Sequence, residues 1–170
     1  MKLFRMFYPK ECQKSVYDID FQAYYDKGFR GILFDIDNTL VPHGAPADEK
    51  IIAFFQSLRE MGFHTCLISN NQEPRVKPFG MKVHSKYIYN AHKPSKKSYE
   101  KAFTLLGTQK EQTLFVGDQL FTDVYGANRV QMHTILVNPI HPKEEIQIVL
   151  KRRLEKIVLY FYNKEREKCL

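Results

Sequence analysis

Short apolar runs alternate with helical stripes through the middle of this chain. Gly31–Ile36, Phe63–Ser69, Thr113–Val116 and Thr134–Val137 are mostly apolar runs of strand length, and Lys86–Tyr89 is a shorter one. Such runs suit strands buried on both faces, as inside a parallel sheet. Between them, Ile51, Ile52, Phe54, Phe55 and Leu58 lay a helical stripe over Ala47–Met61, ended by Gly62. Tyr99, Ala102, Phe103 and Leu106 do the same over Ser95–Leu106, ended by Gly107. Leu120–Val130 reads as a further helix and Pro74–Phe79 as a short helix or turn. This alternation predicts an α/β fold: a Rossmann-like, doubly wound parallel sheet with helices on both faces and right-handed crossovers.

The pattern changes near the C-terminus. Lys143 to Lys168 has no Gly or Pro and reads as one long amphipathic helix. Ile146, Leu150, Leu154, Ile157 and Phe161 make one stripe, which Val149, Val158, Leu159, Tyr160 and Tyr162 widen. Lys151, Arg152, Arg153 and Lys156 form a basic cluster beside it. The 170 residues fit one domain, with a core over about 29–140 and this helix over about 143–168.

The formal net charge of +7 biases partners toward anions: phosphorylated small molecules, anionic lipid or nucleic acid. No apolar run is long enough to span a bilayer. Met1–Lys10 mixes Lys2, Arg5 and Lys10 with Leu3, Phe4, Met6, Phe7 and Tyr8 and lacks the uncharged stretch of a signal peptide. A cytoplasmic protein is expected. Cys12, Cys66 and Cys169 have no metal-type spacing, so neither a disulfide framework nor a zinc site is expected.

The chemistry gathers where the apolar runs end. The first run leads into Asp35-Ile36-Asp37-Asn38-Thr39. Residues two apart on a strand point the same way, so Asp35 and Asp37 should share one side, at the strand's carboxyl end where open α/β sheets place their sites. Two neighbouring carboxylates suit a divalent metal with an anionic substrate, or a division into nucleophile and acid; the plainer reading is a pair of turn-capping Asp residues. Asp18-Ile19-Asp20 repeats the spacing without an apolar run before it and reads as a surface turn. The second run ends in Ser69-Asn70, which can bind phosphate oxygens or simply start a turn. Lys93-Pro94 follows the short Lys86–Tyr89 run, with Pro94 near a helix start. Thr113–Val116 runs into Gly117-Asp118, with Asp123 one turn further on. These two acids are hard oxygen ligands of the type Mg²⁺ accepts, or helix caps.

In order, Asp-x-Asp-x-Thr, Ser, Lys and Gly-Asp-x-x-x-x-Asp each follow an apolar strand. Over Gly31 to Val137 the chain strongly resembles the haloacid dehalogenase (HAD) superfamily of phosphotransferases. Phe34–Leu40, Ile68–Asn71, Gly117–Asp123 and the early Ser15–Ile19 resemble the YqeG-type subgroup of subclass IIIA, itself similar to phosphatidylglycerophosphate phosphatases. The resemblance implies a phosphatase in which Asp35 forms an aspartyl-phosphate and Asp37 serves as acid and then base. It further implies that Thr39 steadies the turn, that Ser69 with Asn70 binds the phosphoryl group, and that Lys93 neutralises its charge. Asp35, the Asp37 carbonyl and Asp118 would hold Mg²⁺, with Asp123 reaching it directly or through water.

Roughly thirty residues separate Thr39 from Ser69, and fewer separate Ser69 from Lys93. A cap domain of ordinary size does not fit. An open site suits a macromolecular or membrane-embedded substrate, or an oligomer whose neighbour closes the mouth. The leading expectation is a Mg²⁺-dependent phosphomonoesterase acting on a phosphorylated lipid head group, peripheral on an anionic membrane through the basic helix and the aromatic N-terminus. The alternatives are a phosphatase for nucleic-acid ends or a soluble sugar phosphate, and a non-catalytic binding domain. No nucleic-acid module is recognisable, so no nucleic-acid partner is expected.

Overall fold

The computed structural model describes the backbone of residues 2–141 and 146–167 and the side chains of 4–141 and 153–165. Its centre is a parallel sheet of six strands: β1 (Glu11–Gln13), β2 (Gly31–Phe34), β3 (His64–Ile68), β4 (Lys86–Ile88), β5 (Thr113–Gly117) and β6 (His133–Val137). Their spatial order is β1-β6-β5-β2-β3-β4. The helices are α1 (Phe21–Asp26), α2 (Glu49–Glu60), α3 (Glu73–Lys82), α4 (Lys96–Leu106), α5 (Tyr125–Arg129) and α6 (Ile146–Glu167).

Alternate residues of each central strand feed opposite layers. Ile32 and Phe34 of β2, Leu67 of β3 and Leu114 and Val116 of β5 pack with Phe21, Ile51, Phe55, Leu58 and Val76 from α1, α2 and α3. Leu33, Cys66, Ile68 and Phe115 point the other way, onto Tyr99, Ala102, Leu106 and Ala127 from α4 and α5. Both sets are almost wholly buried, and burying one such side chain contributes about 1.5–3 kcal/mol. This two-faced burial is why the strands read as unbroken apolar runs. Cys66 sits within the second layer, where burial pushes its thiol up to about 12.

Chain direction explains where a site forms. From β2 the chain moves outward through β3 to β4, then returns to β5 on the other side of β2. The carboxyl ends of β2 and β5 therefore flank the point where strand order reverses, the usual ligand crevice of such sheets. No cap domain follows Thr39 or Ser69. The segment after Thr39 leads into α2, whose N-terminus is capped by Asp48 Oδ1 accepting from the Ile51 N–H at 2.8 Å.

Several details differ from the sequence expectation. β2 stops at Phe34 rather than Ile36 because the chain folds back at once: the Ile36 carbonyl accepts from the Thr39 and Leu40 N–H groups, and Asn38 takes a positive φ of 64°. Leu120–Val130 is not one regular helix. Leu120–Val124 is a widened π-type turn that runs into α5. Pro74–Phe79 is extended into the longer α3. Strand β1 has no apolar run to announce it; it pairs in parallel with β6 at the sheet edge. Asp18 and Asp20 are exposed, and Asp20 caps α1 by accepting from the Ala23 N–H.

The N-terminal segment is a 3₁₀ helix, Lys2–Phe7, with its aromatic rings turned inward. Phe7 meets Phe121 and Tyr125, Phe4 stacks on Phe161 of α6 at 5.8 Å, and Tyr8 meets Tyr162. These rings are thus engaged with the protein. Helix α6 docks through Glu155, Val158 and Tyr162, which are buried, while Leu154, Ile157 and Tyr160 are 51–60 % exposed. The predicted stripe therefore splits: Phe161 packs, and Leu154 and Ile157 do not. The side chains of Ile146, Val149, Leu150, Lys151 and Arg152, and residues 142–145 and 168, lie outside the described residues. No described helix is long and apolar enough to cross a membrane.

Candidate active site

Asp35 follows β2, and its own N–H still bonds the Val116 carbonyl of β5, so the ladder carries it one residue past the strand. Its carboxylate Oδ1 accepts from Lys93 Nζ at 2.5 Å. Lys93 reaches in from the loop between β4 and α4, and its ammonium also donates to Asp123 Oδ1 at 2.7 Å. All three side chains are at most 10 % exposed. Thr39 Oγ1 lies 3.4 Å from Asp35 Oδ2 and 3.2 Å from Asp118 Oδ1, bridging the two carboxylates that end β2 and β5.

Asp123 is placed by the widened turn after β5. The Gln119 carbonyl accepts from both the Asp123 and Val124 N–H groups, and Asp123 Oδ2 accepts from the Gln119 N–H at 3.1 Å. The turn folds Asp123 back against Gly117, where a Cβ would lie only 2.6 Å from Asp123 Oδ2. Gly117 is therefore glycine for space. The start of this turn is tied down from α6: the Leu120 N–H donates to Glu155 Oε1 at 2.7 Å, with both residues buried.

Burial pushes the Asp35 carboxyl up to about 7, countered by the Lys93 ammonium and reinforced by the nearby charges of Asp123 and Asp37. Lys93 moves up as well. The attraction of Asp123 and Asp35 outweighs the desolvation that would lower it, so it stays charged. Asp35, Asp118 and Asp123 each offer an oxygen within 4.8 Å of the others, all buried. The Lys93 ammonium pairs with two of these three acids, Asp35 and Asp123. A set of hard oxygen donors with excess negative charge fits a divalent cation.

The other expected residues divide. Ser69 is buried at the end of β3, its Oγ accepting from the Asn71 N–H at 3.2 Å. Asn70 is engaged with Lys93: its Oδ1 accepts from the Lys93 N–H at 2.6 Å and its Nδ2 donates to the Lys93 carbonyl at 3.3 Å. Asn70 thus fixes the loop that delivers the lysine. The Asp37 carboxylate is not in the acidic trio. It accepts from the Gly44 N–H and Asn71 Nδ2, both at 2.7 Å, and from Arg75 Nη2 at 2.9 Å. Arg75, Asn71 and Glu155 were not singled out in the sequence. Asn71 lies in the bend after β3 and Arg75 in the first turn of α3, and their meeting at Asp37 has no local signal in the sequence. A cleft of about 620 Å³ lies at the opposite end of the sheet among Gly62, His64, Thr65 and Lys86 and touches none of these groups.

A parallel sheet whose switch point gathers Asp-x-Asp-x-Thr, a buried Lys and two further acids defines a HAD-type phosphatase. A family profile described as HAD-hydrolase-like matches residues 90–146. Over 156 residues the chain is 35 % identical to the Bacillus subtilis (strain 168) protein named "Probable phosphatase YqeG", covering 91 % of each. The chain belongs to the YqeG phosphatase family. It is also 27 % identical to phosphatidylglycerophosphate phosphatase 1, chloroplastic/mitochondrial, of Arabidopsis thaliana, covering 89 % of this chain and 47 % of that protein, just under half its length. Among solved structures, an uncharacterized protein from Listeria monocytogenes serotype 4b superposes with a TM-score of 0.53 at 16 % identity, over 69 % of this chain and 86 % of that one. At that identity the likeness concerns the fold alone.

Proposed function

We propose that this phosphatase hydrolyses a phosphomonoester on a lipid head group through an aspartyl-phosphate at Asp35, with Mg²⁺ as its cation. The observation that carries the covalent step is Asp35 itself: a buried carboxylate with one oxygen on Lys93 and the other beside Thr39 at the switch point. Asp35 attacks phosphorus and the bond to the leaving oxygen breaks, with Asp37 supplying the proton that oxygen needs. Water then attacks the same phosphorus, the phosphorus–Asp35 bond breaks, Asp37 takes the water's proton, and inorganic phosphate leaves. Lys93 stays charged throughout and stabilises the negative phosphoryl oxygens. Ser69, buried at the end of β3, supplies a hydroxyl to the same oxygens. Asp35, Asp118 and Asp123, with the Asp37 carbonyl, would hold a divalent cation, which would supply charge neutralisation at the transferring group.

Two observations support a lipid substrate. One relative is a phosphatidylglycerophosphate phosphatase by name. The outer face of α6 exposes Leu154, Ile157 and Tyr160 beside Arg153 and Lys156, an apolar and basic combination that suits an anionic interface.

Activity toward a generic aryl phosphate and toward phosphatidylglycerophosphate in mixed micelles tests both parts. Asp35→Asn should abolish turnover of both; a residual rate above about a tenth of wild type, a loss of only ~1.4 kcal/mol, would rule out the covalent route. Sedimentation with phosphatidylcholine vesicles, with and without phosphatidylglycerol, tests the surface. Binding should need the anionic lipid, weaken with salt and fall on changing Leu154, Ile157 and Tyr160 to Ser. Unchanged sedimentation would remove the membrane from the reading.

A further inference from the structure

Asp37 is held in a way the transfer chemistry alone does not require. Both its oxygens are occupied, by Gly44 N–H, Asn71 Nδ2 and Arg75 Nη2. Arg75 stands in the first turn of α3 with its guanidinium 5.5 Å from the Phe79 ring. Its Nε–H is buried and finds no acceptor among the described residues. An arginine has five N–H donors in a rigid fork, and this one spends few of them on the protein. Arg75 also lines a cleft of about 310 Å³, with Lys82 and the apolar residues Pro46, Pro74, Pro78 and Phe79. The cleft's lining includes two cations, Arg75 and Lys82, and no acid. Lys82 is fixed there by donating to the Ala47 carbonyl at 2.8 Å.

We infer that Arg75, with Lys82 behind it, forms a subsite for a second anionic group on the leaving-group side of the substrate. The geometry follows from the role of Asp37, and to that extent the inference rests on the phosphatase reading above. A general acid must come within hydrogen-bond reach of the leaving oxygen. Whatever the leaving oxygen is attached to therefore passes Asp37 and enters the space that Arg75 borders. A phosphate ester or diester a short polyol link beyond that oxygen meets a guanidinium with donors in reserve, in a cleft that Arg75 and Lys82 border. A neutral leaving group meets nothing there. Planar, bidentate recognition of phosphate oxygens is the task for which arginine is suited over lysine. The subsite also links binding to chemistry: an anion that draws Arg75 toward the cleft loosens its hold on Asp37 and frees that oxygen for the leaving group. Whether the second anion belongs to a lipid or to a soluble diester, the chemistry recognised is the same.

The test compares kcat/KM for three compounds: glycerol 3-phosphate, the deacylated glycerophosphoryl-glycerophosphate head group, and the intact lipid in micelles, with an aryl phosphate as reference. Wild type should favour the deacylated head group over glycerol 3-phosphate by about tenfold or more. Arg75→Met should bring that ratio close to one, and Arg75→Lys should leave it intermediate. If Arg75→Met lowers both substrates by the same factor, Arg75 only positions Asp37 and the subsite is overturned. A ratio that persists in Arg75→Met overturns it equally, as does a preference seen in micelles and absent for the deacylated head group. Wild type that hydrolyses none of the four compounds would overturn the phosphatase reading and this inference with it, whereas normal aryl phosphate turnover with no preference overturns the subsite alone. If Arg75→Met does not fold, as judged by melting, Arg75→Lys and Lys82→Met carry the same ratio test, with a fall expected in each and an unchanged ratio in both refuting.

Discussion

Replacing Gly117 by Ala should damage the site more specifically than its size suggests. The added methyl would lie 2.6 Å from Asp123 Oδ2 and 2.8 Å from its Cβ and Cγ. Asp123 cannot step aside freely, because it is fully buried and held by Lys93 and by the Gln119 N–H. Overpacking of this kind costs about 1–3 kcal/mol, and a charge-assisted hydrogen bond weakened by the shift adds about 1.5–3 kcal/mol. The combined loss is about 2–5 kcal/mol, since the terms overlap and removing a glycine returns up to ~1 kcal/mol through the unfolded chain. At about 2–4 °C per kcal/mol for a domain of this size, Tm should fall by roughly 5–20 °C. A domain with ~5–15 kcal/mol of stability stays folded near room temperature. Gly31→Ala is the control. Its methyl would meet Thr108 Oγ1 at 2.8 Å and Thr113 Oγ1 at 3.0 Å, at the far end of β2 from Asp35. Both variants should melt early. Only Gly117→Ala should also lose aryl phosphate turnover and the Tm increase on adding Mg²⁺, because only there is a carboxylate of the acidic trio displaced. Wild-type metal response in Gly117→Ala, or an equal loss of activity in Gly31→Ala, would refute the reasoning.

Three further outcomes follow from the same geometry. With the Asp35 carboxyl pushed up to about 7, its contribution to stability without metal is greatest at acid pH and is lost as pH rises through about 7. A cation needs the carboxylate, so binding should weaken below pH 7 by up to ~1.4 kcal/mol per unit, and the Tm gain from Mg²⁺ should be larger at pH 8 than at pH 5.5; equal gains would refute the assignment of Asp35 as a ligand. Glu155→Ala strands the buried Leu120 N–H, which should cost about 1–3 kcal/mol and lower turnover through Asp123, with Glu155→Gln recovering part of both in melting and aryl phosphate assays; turnover unaffected by the Ala change would show that α6 does not support the site. Val158→Ala should lower Tm by removing buried methyls, at about 1–3 kcal/mol, while Leu154→Ser on the exposed face of the same helix should stay within ~0.5 kcal/mol; a reversed order would show that α6 docks by its other side.

Much of the fold is written in local pattern. Ile32, Leu33 and Phe34 are all apolar because each faces a helix layer, and that double burial marks β2, β3, β5 and β6 without reference to the rest of the chain. The acids and the lysine that end those strands are readable for the same reason: a parallel sheet sends every strand's carboxyl end to one edge, so Asp35, Ser69, Lys93 and Asp118 converge once the alternation is recognised. What needed the tertiary structure is whatever depends on a partner far along the chain. Strand β1 has no apolar signature, since as an edge strand it is stabilised by pairing with β6 rather than by its own side chains. Asn70 turns to the backbone of Lys93, and Asp37 turns to Arg75, because loops from different crossovers meet only in space. The side on which α6 docks is likewise undetermined by its own sequence: it carries apolar residues on more than one face, and the inward rings of Phe4, Phe7 and Tyr8 help decide that Val158 and Tyr162 are buried while Leu154 and Ile157 remain in solvent.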